Sequence, residues 1–129
     1  MTHSTTEAHE PSTTRAHALA PLLASVAREV SERRRSIVRL ERRLQRAEVR
    51  SIEGRSRPND DEATRVATAE LASQRRSMRG LHDELKDLGC ALERGPRVSI
   101  LVADHEGQVR WRWTQGEDQP RPLAPFTAA

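Results

Sequence analysis

Apolar residues recur at alternating spacings of three and four from residue 14 to about residue 52. Leu23, Val26, Val30, Ile37, Leu40, Leu44 and Ala47 take the a and d sites of a heptad, with Arg33 and Ser51 as polar exceptions. Such spacing draws one apolar stripe along a long helix, because seven residues nearly complete two turns. Ser12, Thr13 and Thr14 offer N-cap hydroxyls, and Pro21 predicts a kink in the first turns or a true start near Ala20. From Glu53 to Asp60 the pattern breaks at Gly54, Pro58 and Asn59. A second helix is predicted to about Leu88, capped by Asn59 or Asp60, with Asp60, Asp61 and Glu62 at its positive end. Its stripe is Ala67, Leu71, Met78, Leu81, Leu85 and Leu88, with Gln74 polar, and Gly89 stands where a left-handed residue stops a helix. So short a loop predicts an antiparallel return, stripe against stripe.

After Pro96 the period becomes two. Val98, Ile100 and Val102 alternate with Arg97, Ser99 and Leu101; Asp104-His105-Glu106-Gly107 reads as a turn; Val109, Trp111 and Trp113 alternate with Arg110 and Arg112. This predicts a two-stranded β-hairpin with an apolar face that holds both tryptophans. A lone hairpin is marginal in water, so that face needs a cover. At 1.5 Å per residue the first helix is roughly 58 Å long and the second roughly 44 Å, so the first overhangs with Leu19, Leu22 and Leu23. The expected fold is mainly α: a long, coiled-coil-like antiparallel two-helix hairpin, with the β-hairpin packed on the overhanging N-terminal part of helix 1. Residues 1–13 are expected to be a disordered tail, 14–114 a single domain, and 115–129 a Pro-rich flexible tail.

Composition supports long solvated helices: 35% of residues are hydrophobic, 32% are charged, and there is one Phe and no Tyr. The pI of about 10.3 reflects a large excess of Arg over a single Lys, yet the formal net charge is only +3 because 19 acids are interspersed. A GC-rich genome is the plainer explanation of that Arg usage, and phosphate binding the functional one. The one cysteine, Cys90, excludes an internal disulfide framework and suits a reducing, cytoplasmic setting. No apolar run reaches the 18 or so residues of a membrane span, and Pro21 with Glu7 and Glu10 argues against reading Leu19 to Val26 as a leader.

The ordered part resembles a bacterial family catalogued as domain of unknown function 2203. The likeness rests on Ala16, Leu19, Pro21, Leu22 and Leu23, on Leu88-Gly89-Cys90, and on Val109, Trp111, Trp113, Gly116 and Glu117, over about residues 14–118. After the hairpin this chain has Asp118-Gln119-Pro120-Arg121-Pro122 where the family has a Trp-His pair and a Gly-Phe segment. The resemblance implies a fold and no established activity.

Candidate chemistry is sparse. Arg28, Arg35 and Arg42 share the f position, with Arg39 and Arg46 at c, forming a candidate basic interaction face for phosphate or an acidic protein. Glu29, Glu32, Glu41 and Glu48 among them suit a merely solvated helix, and no aromatic residue interleaves for base stacking. Trp111 and Trp113 read as a structural aromatic face, and Cys90 as a small buried hydrophobe. His82 and Lys86 occupy the spacing of a metal pair, with Lys where a ligand is needed. Gly80, inside the second helix, suggests close approach of the first helix at that level. No catalytic, cofactor or metal residue is expected. The reading is a non-enzymatic adaptor or structural protein whose partner is a second copy, covering Ala63, Val66 and Val38, or another protein. Nucleic-acid binding through the helix 1 arginines is the alternative.

Overall fold

The computed structural model describes the backbone of residues 3–123 and the side chains of residues 14–123. It is mainly helical: α1 spans His3–Ile52 and α2 spans Asp60–Asp87. Four short strands follow, β1 (Cys90–Leu92), β2 (Ser99–Ala103), β3 (Val109–Thr114) and β4 (Arg121–Pro122). They form one antiparallel sheet in the order β1-β2-β3-β4. By internal contacts the chain divides into two compact units, residues 1–29 with 82–129, and residues 30–81.

Both ends of the chain differ from the sequence expectation. α1 begins at His3, within the stretch read as a tail (1–13), and it continues through Pro21 without a break. An interior proline costs a helix ~3 kcal/mol. Burial on either side offsets that cost, since Ala16, Ala20 and Leu23 are all within the core. The stretch read as a flexible tail (115–129) contributes β4, which pairs with β3 through Trp111↔Pro122 and Arg112↔Arg121. Residues 124–129 of that stretch lie outside the described residues.

In the unit of residues 30–81, Leu40, Ala67 and Leu71 form a buried cluster with Ile37 and Leu44 packed against it. Two of the three polar exceptions of the apolar stripes bond to each other: Arg33 Nη1 donates to Gln74 Oε1 at 3.1 Å. Arg75 donates to Glu41 at 3.0 Å, and Arg50 pairs with Asp60. A double bond pattern closes α1: Gly54 N–H donates to Ser51 O at 3.1 Å and Arg55 N–H to Arg50 O at 2.7 Å. This glycine-centred cap requires the left-handed φ of +69° at Gly54. Gly80 does not mark a close approach, because a Cβ added there would meet nothing within 4 Å.

In the other unit the sheet buries one face. Cys90, Val102 and Trp111 form one cross-strand row, and Leu92, Ile100 and Trp113 the next. The sequence reading has two strands here; β1 adds to the free edge of β2 and β4 to that of β3, so the sheet has four. Val109 is 45% exposed rather than part of the apolar face, as the register shifts between Val102 and Ala103 and sets Val109 opposite Ala103. Gly89 ends α2 with a φ of +72°. Arg15 donates to the carbonyls of Leu88 and Ala103, so it joins α1, the end of α2 and the end of β2.

Candidate functional site

The arginines singled out along α1 are all exposed. Arg35 and Arg39 turn back on their own helix, Nε of Arg35 donating to Ser31 O at 3.4 Å and Nη2 of Arg39 to Ser36 Oγ at 3.1 Å. Arg42 and Arg46 have no hydrogen-bond or ion-pair partner among the described residues. Arg28 belongs to the other compact unit and is exposed there.

Where α1 ends, the chain gathers more arginines than the heptad reveals. An open cleft of about 450 Å³ is lined by Gln45, Arg46, Val49, Arg50, Arg55 and Arg57. The first four come from the last turns of α1, and the last two from the loop that the cap at Gly54 turns back toward the helix. Asp60 fixes the other end of this loop. Its carboxylate accepts Nε and Nη2 of Arg50, both at 3.1 Å, and the backbone N–H of Arg57 at 2.7 Å. The hydrogen bonds from Arg50 and then that of Arg57 hold the Asp60 carboxyl below the usual aspartate range. Arg55 pairs with Glu53. The guanidinium of Arg57 makes no hydrogen bond or ion pair among the described residues, though its charge acts through space on Asp60.

The chain matches no family model, and no curated protein or solved structure shows significant similarity to it.

Heptad position singles out Arg46 but not Arg50, Arg55 or Arg57. Their convergence depends on a capped turn and a carboxylate anchor; two arginines in a Gly- and Pro-containing loop were the available signal. The structure brings none of Arg28, Arg35, Arg39 and Arg42 into the cleft.

Other candidates sit in the sheet unit. Trp113 is 2% exposed, its indole N–H donating to Glu117 O at 3.1 Å, and Trp111 is half-buried. Cys90 is buried, and that burial raises its thiol pKa against a smaller opposing pull from Arg15. A thiol so placed is a poor nucleophile. His82 and His105 are exposed, and no group of three or more His, Cys, Asp or Glu that could hold a metal ion occurs among the described residues. No helix among them is long and apolar enough to cross a membrane.

Proposed function

We propose that this chain is a non-enzymatic interaction protein that works through the outer surface of its paired helices, with a second copy as the partner. The proposed frame is an antiparallel, coiled-coil-like hairpin, supported by the pairings Arg33–Gln74, Glu41–Arg75 and Arg50–Asp60. The sheet is proposed to pack on the N-terminal part of α1. The bonds from Arg15 to Leu88 and Ala103 support this, as does burial of Ala16, Ala20 and Leu23 together with Ile100, Val102 and Trp113.

The observation that carries the proposal is the exposed apolar and charged pattern on one flank of residues 30–81. Val66 is 51% exposed, and Ala63 beside it is exposed too. In the heptad of α2 they fall at c and g, the side away from the e-position pair Glu41–Arg75. On that same flank α1 presents Arg39 and Arg43, while α2 presents Glu70 beside the small apolar residues. Over 35–50 there are six Arg and two Glu, and over 60–71 four acids and one Arg. A twofold contact sets α1 of each copy against α2 of the other, which matches these charges and covers Ala63 and Val66. Val38, 42% exposed at a b position, lies on the opposite flank, so one additional copy does not cover it.

Val66→Glu is expected to weaken self-association tenfold or more, through an apolar contact replaced by a carboxylate between acids. Val38→Glu is expected to leave it unchanged. Sedimentation of the two variants compares them directly; equal loss in both, or loss in neither, contradicts the proposed face.

A further inference from the structure

We propose that the cleft at the loop end of α1 binds a compact phosphate-bearing anion, held by Arg46 and Arg57. The inference does not rest on the self-association reading. Four guanidinium groups line the cleft, and two carboxylates answer them: Asp60 on Arg50, and Glu53 on Arg55. Arg46 and the Arg57 guanidinium make no hydrogen bond or ion pair among the described residues, Arg57 acting on Asp60 only through space, so the four arginines outnumber the two carboxylates that answer them. Like charges gathered this way repel one another until an anion neutralises them. Guanidinium is the side chain best matched to phosphate, because its planar fork donates to two oxygens at once.

The cleft is also fixed in advance. The cap at Gly54 and the three bonds to Asp60 hold both ends of the loop, so little ordering accompanies binding. Its volume lies in the range of small-molecule sites. No aromatic residue lines it, so it offers donors to phosphate and no platform for a base. Gln45 contributes an amide to the wall. A polynucleotide would extend from the cleft along Arg42, Arg39 and Arg35, whereas a compact anion needs none of them.

Calorimetric titration of the full chain with inorganic pyrophosphate at low salt tests the proposal. The expected result is saturable binding that weakens as salt is added. Arg46→Gln and Arg57→Gln should each weaken it about tenfold, the loss of one charge-assisted contact. Both variants should keep the helical circular dichroism of the parent, since neither guanidinium makes a hydrogen bond or ion pair in the fold. The triple variant Arg35→Gln, Arg39→Gln, Arg42→Gln should bind pyrophosphate as the parent does. Absence of saturation overturns the proposal, as does parent-like binding by both cleft variants. Equal weakening in the triple variant also overturns it, by showing diffuse attraction to the whole basic helix. A single-stranded oligonucleotide that binds more tightly than pyrophosphate and is lost with the triple variant assigns the cleft to a nucleic-acid backbone instead, and likewise overturns it.

Discussion

Two glycines of the 30–81 unit make opposite demands on their backbones. Gly54 holds a φ of +69° at the end of α1, where any other L residue is strained; Gly54→Ala should destabilise by roughly 1–2 kcal/mol although nothing crowds the new methyl. Gly80 lies inside α2 with open space around it, so Gly80→Ala should stabilise by up to about 1 kcal/mol. Urea denaturation of the two variants reads both signs. Asp60 adds a pH signature. Its folded pKa is depressed by Arg50 and by the N–H of Arg57, so its contribution is present above the unfolded aspartate value of about 4 and is lost as pH falls through the folded value. Acidification below pH ~4 should therefore lower the melting temperature of the parent more than that of Asp60→Asn. Parallel thermal melts at neutral and acid pH check this.

At the level of elements, the heptad spacing located the stripes of α1 and α2, because helix periodicity and burial coincide at Leu40, Ala67, Leu71, Leu81 and Leu85. It did not show that Arg33 and Gln74 bond to each other, since that depends on the register between helices. A polar pair inside an apolar seam disfavours shifted registers, where each member would face a leucine. Gln74→Leu should accordingly destabilise by about 1 kcal/mol or more by leaving Arg33 without its amide, and Arg33→Leu combined with it should recover that loss. Additive losses in denaturant titrations would contradict the coupling. β1 and β4 were illegible for another reason. Three residues and two residues are too few to display a period of two, and the ladder to β2 or β3 decides their conformation. Pro122 also argues against a strand except at an edge, which is where β4 lies. The early start of α1 was hidden by Pro11 and Pro21, which weigh against a helix locally.

For the molecule as a whole, composition indicated solvated helices but not the distribution of its charges. The cleft arginines come from separate stretches, and a turn of particular geometry makes them neighbours. The exposed apolar residues are likewise unequal in the proposed frame: Val66 and Ala63 fall on the flank offered to a second copy, and Val38 on the other. If a second copy covers that flank, association is part of how the chain works rather than an accident of concentration. Multi-angle light scattering of the full chain, from micromolar to several hundred micromolar, measures this directly. The expected mass rises from the 14.6 kDa of one chain to twice that value and then levels off. A mass of one chain across the whole range would contradict it.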